Sequence, residues 1–274
     1  MTDIVKQAPS LPIKHHHLVL YVAHLADKAY SPATIATNLS ALSFLHKLYC
    51  LPDPTTSFVV SKMLKGYKKL APPPAIRLPI TLPILQQLTA ALPHLLHSHY
   101  EIKLYTSMYA MAFYACLRIG ELTHKPATQD HNLQISDIQI LVYPEQTRHD
   151  VLVSFRSHKH STPHRISQLQ IQDSYPIHPV AVLIEYLKLR GPNPGPLYIW
   201  QNGKPITYKQ FVATLRDTLN FAGYPPSVYK SHSFRIGRAT LALQQGYSDL
   251  QIMKLGRWAS TAHLKYLRPP TMSS

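Results

Sequence analysis

The sequence predicts a mainly α-helical protein with one small antiparallel β-sheet, in two units joined by a proline-rich connector. Three observations predict it. Apolar residues recur at helical spacing on both sides of a central stretch. That stretch, about 133 to 172, is built instead of short β-branched runs between polar turns. APPPAIRLP at 71–79 interrupts the helical pattern, because consecutive prolines remove backbone donors and fix φ. The organisation that follows is a helical unit at 1–70, a linker at 71–79 and a larger unit at 80–274.

Each element has its own reason. Residues 31–49, SPATIATNLSALSFLHKLY, open with Ser31 as N-cap and Pro32 at the first helical position, and set Ile35, Leu39, Leu42, Leu45 and Leu48 on one stripe. The apolar-rich stretch 18–29 before it and FVVSKMLKGYKKL after it complete a small all-helical unit. Past the linker, TLPILQQLTAALPHLL and EIKLYTSMYAMAFYACLRIGEL form two helices, the second apolar enough to be mostly buried. DIQILVY, DVLVSF and HRISQLQI are the strands, with imperfect alternation in the third. Helices return with HPVAVLIEYLKLRG, stopped by GPNPGP, then with ITYKQFVATLRDTLNFAG and with the segment opening HSFRIGRAT.

Composition narrows the function classes. A chain of 274 residues with 45% hydrophobic content can bury real cores, and no run reaches the length of a membrane-spanning helix. The N-terminus, MTDIVKQAPSLPIK, lacks the basic-then-apolar order of a secretory signal, so the expected location is intracellular, and the nucleus if the host is eukaryotic. Cys50 and Cys116 are far apart without C-x-x-C spacing, which argues against a disulfide framework or a zinc site and places both in the apolar core. Lys and Arg outnumber acids 28 to 13, for a net charge of +15. Such an excess favours a polyanionic partner, double-stranded DNA before a membrane surface.

The chemistry-bearing residues fall near the C-terminus and at two earlier points. His232 and Arg235 are three apart at the start of a helix, so they project from one face and can address one small target; taken alone they are a capping histidine beside a surface arginine. Arg118 follows directly on a buried helix, where a guanidinium needs a partner, and its ordinary partner is Glu121 at i+3. RSHKHS places Lys159 at the tip of the turn between the second and third strands. LGRWAS and LKYLR supply Trp258 and Tyr266, which alone are a core tryptophan and a half-buried tyrosine.

Together and in this order these residues resemble the tyrosine recombinase (phage integrase) family. The resemblance covers nearly the whole chain, and the wording of CLRIGEL, HSFRIGRAT and LGRWASTAHLKYLR is most similar to recombinases of eukaryotic mobile elements of the Crypton and DIRS kind. It implies a helical SAM-like core-binding domain followed by an α+β catalytic domain, DNA breakage and rejoining, self-association on DNA, and no cofactor. Tyr266 would attack the scissile phosphorus and form a 3′-phosphotyrosyl intermediate. Arg118 and Arg235 would clamp the non-bridging oxygens, because guanidinium forks match phosphate geometry. His232 would accept or relay the nucleophile's proton, and Lys159, flanked by His158 and His160, would be the general acid.

The family's remaining position, His or Trp, has two candidates. Arg257 stands nine residues before Tyr266, where a histidine usually stands, whereas the Gly-x-Trp wording favours Trp258, with an indole N–H for the phosphate. Trp258 is the choice here. His263, three residues before Tyr266, is expected to be exposed. Lys62, Lys65, Lys68 and Lys69, beside the linker, would hold DNA backbone without reading sequence. Two other readings stand beside this one: a domesticated DNA-binding protein that kept the fold without turnover, and a type IB topoisomerase, which the H-x-x-R wording and compact N-terminal unit disfavour. The short N-terminal unit and the eight residues after Tyr266 are also what a fragment or a decayed copy would show.

Overall fold

A computed structural model describes residues 11–72, 76–124, 132–156 and 167–268. The chain divides into two units between Pro74 and Ala75. In the first, α1 (His15–Asp27), α2 (Pro32–Leu48) and α3 (Phe58–Leu70) pack around Leu18, Val22, Leu25, Ile35, Leu39 and Val60. The Ser31 hydroxyl caps α2 by accepting the Thr34 N–H at 3.1 Å, as its position before Pro32 predicts.

Two expectations fail in this unit. The apolar stripe of α2 is buried only at its N-terminal end. Leu48 is exposed, and the buried residue of the last turn is His46, whose Nδ1 lies 2.8 Å from Leu42 O and whose Nε2 accepts the Ile13 N–H at 3.1 Å. A bonded imidazole thus fills a place where only apolar groups were sought. Cys50 is exposed, not in the core. It sits at φ +54 just past α2, with its N–H on Lys47 O and the Leu51 N–H on His46 O, so it ends the helix instead of packing.

The second unit is arranged around α5 (His99–Tyr114), nearly every residue of which is buried past its first turn. Helix α4 (Leu82–Leu95), α7 (Pro179–Arg190) and α9 (Ser233–Gln244) pack against it, and α8 (Tyr208–Phe221) packs on α4. The sheet is antiparallel in the order β1 (Ile138–Tyr143), β2 (Arg148–Phe155), β3 (Ser167–Gln172). Buried Val151 and Val153 on β2 face α7 and the core, while β3 alternates plainly between covered and exposed residues. Asp150, fully buried on β2, is held by Arg148 at 3.1 Å and by the Gln170 amide at 2.6 Å. Close packing sets one residue type: a Cβ on Gly237 of α9 would lie 1.8 Å from Ile80 O, so only glycine lets α9 approach the extended segment before α4.

Candidate active site

The end of α5 builds one side of the site. Its last turn is closed by Cys116 at φ +48, with the Leu117 N–H on Ala112 O and the Cys116 N–H on Phe113 O, so the chain reverses past the helix end. The reversal delivers Arg118 to the head of α6 (Ile119–Leu122). There Glu121 accepts the Arg118 backbone N–H at 2.8 Å and its Nη1 at 3.1 Å. The end of α10 (Asp249–Gly256) repeats the device. Arg257 is left-handed at φ +53, with the Trp258 N–H on Met253 O.

Both helix ends turn their unpaired carbonyls on Arg235. Its Nη1 donates to Cys116 O and its Nη2 to Gly256 O at 2.9 Å. The last carbonyls of a helix lack intrahelical donors and carry the negative end of its dipole, so a guanidinium between two such ends satisfies both. Arg235 is only 1% exposed. The Trp258 ring centroid lies 4.7 Å from its guanidinium carbon and that of Tyr266 5.5 Å away. Trp258 itself lies against Gly256, where a Cβ would meet the indole at 1.8 Å, and 5.0 Å from the Tyr266 ring, centroid to centroid.

Tyr266 ends a 3-10 turn, Thr261–Tyr266, that packs on α9. Thr240 fastens it, donating to Tyr266 O at 3.4 Å and accepting the Arg268 N–H at 3.3 Å. The phenol ring is half-buried and nearly parallel to the His232 imidazole, with centroids 6.4 Å apart. His232, exposed at the N-terminus of α9, is held below the ordinary histidine value by desolvation and by the charges of Arg77, Arg235 and Arg118. It is therefore biased to the neutral form, with a lone pair able to take a proton. Cys116 is buried and its thiol pushed up, which keeps it protonated and unreactive.

Burial disfavours the Glu121 carboxylate, but Arg257, the Arg118 N–H, and the Arg235 and Arg118 charges outweigh burial and hold it below its usual value. Arg257 is turned away from Tyr266. It donates to Glu121 Oε2 at 2.8 Å and to Ala115 O at 3.2 Å, and stacks 3.8 Å over Phe155 at the end of β2. One carboxylate thus joins Arg118 and Arg257 and is felt by the buried Arg235, so three guanidinium groups share a single acidic neighbour. That arrangement suits a tetrahedral anion beside a hydroxyl and a neutral base.

Solved structures share this architecture. The chain is similar to the Tn1549 transposon integrase in complex with circular intermediate DNA, at 16% identity over 95% of this chain and 83% of that one, TM-score 0.61. It is similar to a lambda integrase dimer bound to a COC′ core site, at 15% identity over 97% and 68%, TM-score 0.63. The fold is that of the tyrosine recombinases. XerA recombinase is also similar, at 21% identity over 97% of this chain and 81% of its own, TM-score 0.52. No protein-family model and no curated protein matches the sequence.

Within the recombinase fold, Arg118, His232, Arg235, Trp258 and Tyr266 come together, although up to about 150 positions separate them in sequence. Lys159 lies outside the described residues, as do His158 and His160. Lys62, Lys65, Lys68 and Lys69 are exposed on α3 in the other unit, and none has an ion pair among the described residues. His263 is buried, against expectation, because its ring packs on Trp258 and its Nε2 stands 3.5 Å from Asp249 Oδ1. Sequence reasoning missed Arg77, which it left inside a linker. The alternation of Ile76, Arg77 and Leu78 was the available signal of an extended segment, and Leu78 and Ile80 donate to Val228 O and Ser233 O at 3.0 Å. Among the described residues no helix is long and apolar enough to cross a membrane, and no group of three or more His, Cys, Asp or Glu could hold a metal ion.

Proposed function

We propose that this protein breaks and rejoins DNA strands with Tyr266 as the nucleophile. The observation that supports the reading is the convergence of Tyr266, His232 and Trp258 on Arg235 beside Arg118. The Tyr266 hydroxyl attacks the scissile phosphorus while His232 takes its proton. The P–O5′ bond breaks, and Lys159 protonates the leaving 5′ oxygen. A 3′-phosphotyrosyl bond results, which the 5′ hydroxyl of another strand reverses, so the reaction asks for neither ATP nor a metal ion. Arg118 and Arg235 neutralise the charge that builds on the phosphorane.

Arg235 reaches phosphate only after the Tyr266 ring swings off it, since its outer side is covered and two of its donors are committed to carbonyls. The first unit, with the four lysines of α3, closes on the duplex, and copies of the protein associate there. The setting is a mobile element of the Crypton or DIRS kind, and the location intracellular. The DNA-bound forms of the Tn1549 and lambda integrases support the partner class.

The buried state of Arg235 also favours a second reading, a DNA-binding protein of this fold without turnover. A nicked duplex carrying the element's own terminal sequence separates the two. The expected product is a protease-sensitive covalent adduct that Tyr266→Phe abolishes. Equal adduct from Tyr266→Phe overturns the nucleophile, and binding without adduct in the parent favours the second reading. Affinity in either case should fall steeply with salt.

A further inference from the structure

A cleft of about 320 Å³ opens beside His232. Its floor is apolar, made of Val212, Leu215 and Leu219 of α8 with Pro226 and Tyr229, and its rim carries the cations Arg77, Arg216 and Lys230. Among the described residues no carboxylate lines it. Arg216 reaches Asp217 at 3.3 Å, but Arg77 and Lys230 have no ion pair among the described residues. Arg77 is held in place from behind, because the backbone on its C-terminal side is bonded to residues 228 and 233.

Unneutralised cations around an apolar floor fit a ligand with an anionic end and a flat body, and the volume is that of a small-molecule site. His232 belongs both to this cleft and to the constellation around Arg235, so a strand held by the constellation passes its mouth. We propose that the cleft is a subsite for one nucleotide next to the scissile phosphate, its base unstacked onto the Val212–Leu219 floor and its phosphate between Arg77 and Lys230. The inference rests on the proposed function for the identity of the strand. The base gives up its neighbours in the duplex and regains contact with Tyr229 and the aliphatic floor, a sequence-tolerant exchange. Occupation would also bring a phosphate beside His232 and offset the charges of Arg77 and Arg235 that bias it to the neutral form.

Methyl NMR of the full chain tests it, with signals from Val212, Leu215 and Leu219. The probes are a short single-stranded oligodeoxynucleotide, deoxyadenosine monophosphate and inorganic phosphate. The floor methyls should shift with the oligonucleotide, less readily with the mononucleotide, and not with inorganic phosphate. Arg77→Ala, at an exposed position, should weaken oligonucleotide binding at the floor about tenfold, the loss of one charge-assisted contact. Val212→Trp, which fills the floor from a half-buried position, should abolish the response with Tm unchanged. A silent floor, an equal response to inorganic phosphate, or tighter binding of the mononucleotide than of the oligonucleotide would each overturn the subsite. The two proposals fail separately: adduct formation with a silent floor removes the subsite alone, and a responsive floor without adduct removes the nucleophile alone.

Discussion

Helix ends at the site differ from helix ends elsewhere in the same unit. Helices α8 and α9 stop at Gly223 and Gly246, both at φ +78, with open space where a Cβ would stand. Helices α5 and α10 stop with the same hydrogen-bond pattern, but the left-handed residues are Cys116 and Arg257. A side chain in that conformation costs roughly 1 kcal/mol or more, and such strain persists where surrounding contacts over-determine it. Cys116 fills the core beside Trp258, and Arg257 grips Glu121. The comparison teaches that these two ends are fixed by what their side chains hold, and the other two by backbone alone.

The comparison can be broken in order of effect. Glu121→Ala strands Arg257 and releases Arg118, so it should destabilise by about 3–5 kcal/mol, the range for breaking a buried pair, measurable by denaturant titration. It should also flatten the acid limb of stability. A carboxyl held below its usual 4.5 contributes stability above that pH and loses it as pH falls through the lowered value, so the variant lacks that loss. Arg257→Gly relieves strain yet removes the Glu121 partner, for a net loss of about 2 kcal/mol; a gain in stability would mean that the side chain holds nothing. Gly246→Ala should cost about 1 kcal/mol through backbone strain alone. Smallest of all, Arg77→Ala should raise the His232 pKa toward 6.5, followed by the imidazole proton shifts, because it removes a nearby positive charge; an unmoved titration would detach Arg77 from the site.

The sequence showed most of the helices and the three strands because those depend on local spacing: Ser31 before Pro32 announces α2, and β-branched runs between polar turns announce the sheet; α10 and the break between α5 and α6 were not marked. It also showed that His232 and Arg235 share a helix face. Depth was beyond it. Three-residue spacing says which way a side chain points and not what lies over it, so the burial of Arg235 under Tyr266 and Trp258 could not be seen. Pairings between distant residues were hidden for the same reason. Arg257 meets Glu121 across 136 positions, so its spacing from Tyr266 suggested one task while the fold gave it another. Cys50 and His263 exchanged the expected surface and core because helix termination and ring packing outrank hydropathy at those two places.

The acceptors on Arg235 are main-chain oxygens of residues 116 and 256. Every amino acid carries that oxygen, but here the aim of each depends on its residue, since Cys116 stands left-handed and a Cβ at 256 would run into the Trp258 indole. Arg235 has no such main-chain substitute. With the Arg257 bonds to Ala115 and Glu121, it makes two guanidinium rivets between the middle of the polypeptide and its tail.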